Sequence, residues 1–270
     1  MSKNPFISVI IPVLNGAGTL GLCLNSLIRQ NFSDFEILVM DGKSGDGSVK
    51  LAHDILDSSG VSFDVSSRQD GSVYEAMDQG VVQSRGEWLY FLGADDQVYS
   101  ENSFEELLPA LLDHNIDMVF AGVTVDGTAC KAPPAVVQGR LLKTNVCHQG
   151  ILYRRKLFDL YGDYNPRYRV YADWDLNMRF LIAGASYKTI NVTVARYATT
   201  GLSAREGDQL FYNEVELNEA RYRFRFAAGR GKTKWLFKIC LRYAQIQRKN
   251  LMFLLHRASR RKKSVQGDTA

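Results

Sequence analysis

Along the first hundred residues the apolar positions form short continuous runs separated by stretches of helical spacing. "FISVIIPVL" and "FEILVMD" are rich in β-branched residues and lack alternation, the pattern of central strands covered on both faces of a parallel sheet. Between them, "GAGTLGLCLNSLIRQ" puts Leu20, Cys23, Leu24, Leu27 and Ile28 on one helical face, with Thr19 predicted as the cap. Together they make a βαβ unit, whose crossover is expected to be right-handed. A second unit repeats the alternation. A helix is predicted from Ser48 to Ser58, a strand in "VSFDVSS", and a helix in "SVYEAMDQGVVQS" with Val73, Ala76, Met77 and Val81 inward. The strand "EWLYFLG" then runs into Asp95 and Asp96.

Beyond residue 100 the pattern is more mixed. "IDMVFAGVTVDG" and "SYKTINVTVARYA" read as strands; "RRKLFDLYG" and "DWDLNMRFLIAG" read as helices closed by Gly162 and Gly184. From about Gly207 the chain is predicted to be mostly helical, and the final "SRRKKSVQGDTA" to be disordered. The fold class is therefore α/β. Open sheets of this kind bind ligands beyond the carboxyl ends of their strands, where Asp41 and the Asp95-Asp96 pair are placed.

Composition adds two points. The N-terminal apolar run is short and broken by Pro12, which reads as a buried strand rather than a signal peptide or a spanning helix, and a cytoplasmic location is expected. Cys23, Cys130, Cys147 and Cys240 lie far apart with no C-x-x-C pair, so no zinc site or disulfide framework is indicated and free, mostly buried thiols are expected.

Charge divides the chain. Residues 221–263 hold 15 Lys and Arg and no Asp or Glu, leaving 18 basic and 29 acidic residues, a formal charge of −11, on the rest. In this tail Lys234, Lys238, Arg242 and Lys249 share one helical face, with Leu236, Ile239, Cys240, Tyr243 and Ile246 opposite. Such a helix suits an anionic bilayer, and equally a terminal helix packed on the body with a solvated basic face. No nucleic-acid-binding module is recognisable, and no nucleic-acid partner is expected.

Four stretches carry the candidate chemistry: "IPVLNG" with "MDGKSGDGS", "RQDGSVYEAMDQG", "FLGADD" and "VYADWDLNMRF". Two adjacent carboxylates at the end of an apolar strand suit a hard divalent cation; a solvated turn is the simpler alternative. Asp41 at a strand end suits a nucleobase N–H, though "DGKSGDG" is also good turn chemistry. Asp173 and Asp175 stand at a predicted helix start, where the dipole favours the ionised form of a base and where both also serve as caps. "CHQGILYRR" adds His148 and Gln149, placed to meet an acceptor or simply to support the fold.

Taken together these stretches resemble glycosyltransferase family 2, the inverting nucleotide-sugar enzymes, over roughly residues 6 to 205. The resemblance implies a GT-A type, Rossmann-like nucleotide-binding domain with a mixed central sheet at 1–205, followed by a basic helical extension at 206–263 and a disordered tail at 264–270. It implies that Pro12, Leu14, Asn15, Asp41, Asp70, Asp95 and Asp96 bind the nucleotide sugar, that Asp95 and Asp96 hold Mn²⁺ or Mg²⁺ with Asp96 the direct ligand, and that Asp173 is the base. His148 and Gln149 then face the acceptor. Two positions depart from the family pattern: Gly93 replaces the first carboxylate of D-x-D, and Ala172 replaces a Glu before the base. The partners implied are a nucleotide-sugar donor and a glycan or lipid-linked acceptor in bacterial surface polysaccharide synthesis. Residues 232–263 would place the enzyme peripherally on the inner face of the membrane. Two alternatives stay open. A nucleotidyltransferase making sugar nucleotides shares the layout, but "NGAGTLGLCLNSL" lacks a basic residue before Arg29 to cradle a triphosphate. A non-catalytic binding module would account for Gly93 and Ala172 as decay.

Overall fold

The computed structural model describes residues 4–125, 128–130, 145–199, 207–226, 234–236 and 238–245. Its elements run β1 (Ile7–Val13), α1 (Ala17–Ile28), β2 (Phe35–Asp41), α2 (Ser48–Leu56), β3 (Ser62–Ser67), α3 (Val73–Gln83), β4 (Trp88–Phe91) and β5 (Gln97–Val98). They continue with α4 (Ser103–Leu111), β6 (Met118–Val125), β7 (Thr128–Cys130), a 3-10 turn His148–Gly150, β8 (Ile151–Arg154), α5 (Lys156–Tyr161), α6 (Ala172–Ala183), β9 (Tyr187–Tyr197) and α7 (Gln209–Phe226). The chain forms two compact units, Met1–Asp208 and Gln209–Ala270.

The first unit is built on one sheet of order β3-β2-β1-β4-β8-β6-β9-β5, with β7 paired to β6. Its first half, β3-β2-β1-β4, is parallel, and β8 joins β4 antiparallel, so the sheet is mixed. Each residue of β1, β2 and β4 is buried, as unbroken apolar runs require of strands covered on both faces. Polar groups inside this core are paired. Glu36, 1% exposed, accepts from the Ser8 hydroxyl at 2.6 Å and from Arg85 Nε at 2.9 Å, tying the base of β1 and β2 to the turn before β4. Gly80 on α3 is a close approach: a Cβ there would lie 2.4 Å from Ile10 Cγ2, so only glycine lets this helix sit down on β1.

Three local readings are corrected. Thr19 does not cap α1, which begins at Ala17 with no side-chain cap of its own. The N–H groups at its start are met from the β2–α2 loop instead: Asn15 N–H donates to Ser44 Oγ at 2.7 Å, Gly16 N–H to Ser48 Oγ at 3.0 Å and Ala17 N–H to Asp46 Oδ2 at 2.8 Å. The polar loop "GKSGDGS" is thus a cap delivered across the sheet. Val73 does not face inward but is 38% exposed, because Ser72 caps α3 through Glu75 N–H and sets a phase that buries Tyr74, Met77 and Val81. Of the cysteines expected to be buried, Cys23 is, Cys147 is half-buried and Cys240 is exposed; the Cys130 side chain lies outside the described residues.

In the second unit, Arg242 pairs with Glu216 at 2.7 Å, and the Trp235 ring meets Arg223, Lys234 and Lys238 at 5.3, 5.5 and 4.9 Å. Lys249, Ile246 and the predicted disordered tail lie outside the described residues. Among the described residues no helix is long and apolar enough to cross a membrane.

Candidate active site

The parallel half of the sheet leaves a cleft of about 550 Å³ beyond the carboxyl ends of β1 and β4. Pro12, Leu14 and Asn15 from the end of β1 line one side, Asp95 and Asp96 the end of β4, and His148, Gln149 and Asp173 the remaining wall. A recess of about 490 Å³ shares Pro12, Leu14 and Val73 with this cleft and adds Asp70 and Arg169. Asn15 has φ 51°, a left-handed conformation that Asn tolerates, and its Oδ1 accepts from Gly45 N–H at 2.9 Å. The backbone that meets the cleft is therefore held by the same loop that caps α1.

Asp96 is 1% exposed. Its Oδ2 accepts from Gly93 N–H at 3.1 Å and Gln149 Nε2 at 2.6 Å, and its Oδ1 from Ala198 N–H at 2.8 Å. Burial pushes its carboxyl above the usual range, against the pull of Ala198 N–H and Gln149. With three of about four lone-pair sites used by the protein, Asp96 keeps one site for anything else, and the less buried Asp95 is the more open of the pair. Gly93 shows why no carboxylate precedes them. A Cβ at that position would lie 2.5 Å from Asp96 Oδ2 and 2.9 Å from Asp95 Oδ1, so both carboxylates fold over the glycine. Asp95 and the one open site on Asp96 Oδ1 are hard oxygen donors of the kind that suit Mg²⁺ or Mn²⁺, provided that a diphosphate supplies further ligands. Among the described residues no three His, Cys, Asp or Glu gather to hold a metal without such help.

Asp173, 4% exposed, sits in the first turn of α6. Asn145 Nδ2 lies 3.0 Å from each of its oxygens, Trp174 N–H donates to Oδ1 at 2.7 Å, and the Tyr74 hydroxyl reaches Oδ1 at 3.4 Å. The one Tyr74 hydroxyl proton goes to the Val170 carbonyl, which leaves the 3.4 Å approach to Asp173 a contact; burial, then the Asp173 charge, pushes the phenol well up, so it stays protonated. His148 Nδ1 stands 3.6 Å from Asp173 Oδ2. Asp175 is fully buried in the same turn. Neither Tyr74 nor Asn145 was singled out by sequence. The helical phase of "SVYEAMDQG" was the signal available for Tyr74; nothing local pointed to Asn145.

The structure does not bring Asp41 to the cleft. Its carboxylate is 2% exposed and accepts from Ser67 Oγ at 2.6 Å and Ser44 N–H at 3.2 Å, the work of a residue that organises the loop. Asp70, by contrast, opens into the recess, and burial, then Glu75 and Asp41, pushes its carboxyl up.

Comparison with known proteins places this geometry. Residues 8–132 match the model of glycosyl transferase family 2. The chain is 40% identical over 200 residues to the PGL/p-HBAD biosynthesis glycosyltransferase of Mycobacterium tuberculosis, covering 73% of this chain and 78% of that one. This chain belongs to glycosyl transferase family 2. It is also 27% identical over 172 residues to the uncharacterized glycosyltransferase EpsJ of Bacillus subtilis, covering 57% of this chain and 49% of that one. Among solved structures, that of S. aureus TarS 1-349 in complex with UDP-GlcNAc superposes with a TM-score of 0.71 at 18% identity, over 88% of this chain and 72% of that one. The mannosyltransferase PcManGT of Pyrobaculum calidifontis gives 0.61 at 16% identity, over 88% and 69%. The fold is the GT-A type, and the chain is a glycosyltransferase.

Proposed function

We propose that this glycosyltransferase is inverting, and moves a hexosyl group from a nucleotide-sugar donor to a glycan or lipid-linked acceptor in bacterial surface polysaccharide synthesis. The observation that carries the reading is that one cleft holds both acidic centres, Asp95-Asp96 and Asp173. An inverting displacement needs an electrophile held at one centre and basic charge at the other, on the acceptor side. Asp95 and Asp96 face the ribose and diphosphate; when bound there, Mg²⁺ or Mn²⁺ would neutralise charge on the departing nucleoside diphosphate. Asp173 supplies the base that takes the proton of the acceptor hydroxyl as its oxygen attacks the anomeric carbon. The nucleobase enters the Asp70 recess, above the loop that Asp41 holds.

The mycobacterial relative's role in PGL/p-HBAD biosynthesis supports a biosynthetic glycosyl transfer. So does the 23% identity over 158 residues to the poly(ribitol-phosphate) beta-N-acetylglucosaminyltransferase TarP of Staphylococcus aureus, as regards a surface glycan. Lys234 and Lys238, with the half-exposed Leu236 and Tyr243, support peripheral attachment to an anionic membrane on the cytoplasmic side.

The test is a thermal-shift panel of UDP, GDP, dTDP and CMP, with and without Mn²⁺, on the intact chain and on Asp96→Ala. A ligand at 100 times its Kd stabilises the native state by about 2.7 kcal/mol. One diphosphate should raise Tm with Mn²⁺, and the substitution should abolish the rise. Its donor is then hydrolysed in the NMR tube, and inversion requires that the β-anomer appear first from an α-linked donor. No response to any nucleotide overturns the reading in favour of a binding module.

A further inference from the structure

Beyond Asp95 the cleft continues into a groove of about 460 Å³, lined by Gln97 of β5, Tyr99, Thr124 of β6, and Arg196 and Tyr197 of β9. Asp95 and Tyr197 line both spaces, so cleft and groove are continuous. The Asp70 recess joins the same cleft elsewhere, through Pro12, Leu14 and Val73 on the β3-β2-β1 side of the sheet, whereas β6, β9 and β5 form its other edge. A donor seated between the recess and the carboxylates therefore leaves the groove unfilled. The groove opens past Tyr197 into the space that Asp173 lines.

Strand pairing sets the chemistry of this wall. Gln97 and Thr124 are both register partners of Arg196, and directly opposed residues share a face of the sheet. The Arg196 guanidinium lies 5.3 Å from the centroid of the Tyr99 ring, and its Nη2 donates to the Tyr99 carbonyl at 3.3 Å. The head is thus held in place at the expense of one N–H of the five that a guanidinium carries. No carboxylate pairs with Arg196 among the described residues. Asp95, the one acid lining the groove, stands at its junction with the cleft.

We propose that this groove is a second acceptor subsite, and that it takes an acceptor bearing an oxyanion, a phosphodiester or a uronate carboxylate, next to the accepting sugar; this rests on the glycosyltransferase reading above. Arg196 meets the oxyanion with its remaining N–H groups, whose fork suits carboxylate and phosphate alike. Tyr99 and Tyr197 add amphipathic surface for the sugar beside it. Charge also orients the acceptor. Asp95 repels an anion at the junction and Arg196 attracts one further out, so the neutral accepting hydroxyl is the end turned into the cleft.

Methyl phosphate, methyl β-glucuronide and the neutral methyl β-glucoside are titrated into the intact chain labelled with nitrogen-15 arginine. The Arg196 Nε signal is assigned from its loss in Arg196→Gln. At least one anion should shift this signal saturably, and which one does so separates phosphodiester from uronate; the glucoside should leave it in place. Followed at the Gln97 and Tyr197 backbone amides, the responding anion should bind about tenfold more weakly to Arg196→Gln. No saturable shift with either anion overturns the subsite, as does unchanged affinity in the variant. An equal response to the glucoside overturns the charge assignment. These titrations need no nucleotide, so their failure is distinct from failure of the transferase reading, which the nucleotide panel decides. A nucleoside diphosphate that displaces the anion from Arg196, or that binds Arg196→Gln more weakly than the native chain, would assign the guanidinium to the donor and overturn the proposal.

Discussion

Gln149 Nε2 donates to Asp96 Oδ2 at 2.6 Å, while the residue before it turns its ring to Asp173. Two consecutive residues in one 3-10 turn thus join the two acidic centres of the cleft, although Asp96 and Asp173 lie on elements far apart in sequence. The amide also relieves a buried carboxylate, and a buried acceptor left short of a donor costs about 1–3 kcal/mol. Gln149→Leu should therefore lower stability by that order in urea titration and weaken Mn²⁺-dependent nucleotide binding. Gln149→Glu, which sets a second carboxyl against Asp96, should be worse on both counts. Unchanged nucleotide binding in both variants would show that the bridge does not hold the donor side.

Gly93 makes a sharper case. Alanine there places a Cβ 2.5 Å from Asp96 Oδ2, so the carboxylates must move, and nucleotide affinity with Mn²⁺ is expected to fall about tenfold, or by about 1.4 kcal/mol. Gly18 is the control, since a Cβ there meets nothing within 4 Å and its place inside α1 makes Gly18→Ala stabilising by roughly 0.5–1 kcal/mol. Isothermal titration of both variants separates site geometry from general glycine effects.

Tyr74 lines the cleft beside Asp173. Tyr74→Phe removes the hydroxyl that donates to the Val170 carbonyl and lies 3.4 Å from Asp173 Oδ1, and leaves the buried ring in place. We expect kcat to fall by about tenfold, equivalent to about 1.4 kcal/mol of transition-state stabilisation, with nucleotide Kd unchanged. A matching loss of nucleotide affinity would place Tyr74 on the donor side instead.

These residues show what was legible in the sequence and what was not. The buried strands β1, β2 and β4 and the amphipathic helices between them were readable because continuous β-branched runs and 3.6-residue spacing each admit one solution in an α/β chain. Gly162 and Gly184 were readable as helix ends, and both have positive φ, 85° and 100°. α4 was not read, because Pro109 interrupts its pattern, and β8, four residues long, was hidden between two polar stretches. In the site, Asp95, Asp96 and Asp173 announced themselves by their place at element ends. The Asp41 carboxylate is buried and hydrogen-bonded in its turn, and a turn-organiser and a base-binding residue look alike in sequence. Only long-range packing decides between them, as it does for Asn145, Tyr74 and the loop that caps α1 from about 30 residues away.

Asp78 offers a test of the support beneath Tyr74. It lies on α3, accepts from Tyr164 N–H at 3.1 Å, and is raised to about 7 by burial, against the pull of that N–H. In the unfolded chain an aspartate titrates near 3.9, so between roughly pH 4 and 7 the native state holds a proton that the unfolded state has lost. Stability must then fall as pH rises through this window, and level off above it. Asp78→Asn keeps an oxygen to accept from Tyr164 and carries no charge to bury. Its Tm should exceed that of the native chain at pH 8, and the gain should shrink steadily toward pH 4. Melting curves at half-unit steps decide the matter. A gain that is constant with pH would mean that Asp78 is solvated and titrates normally, and the packing of α3 against the segment leading to Asp173 would have to be looser than this structure has it.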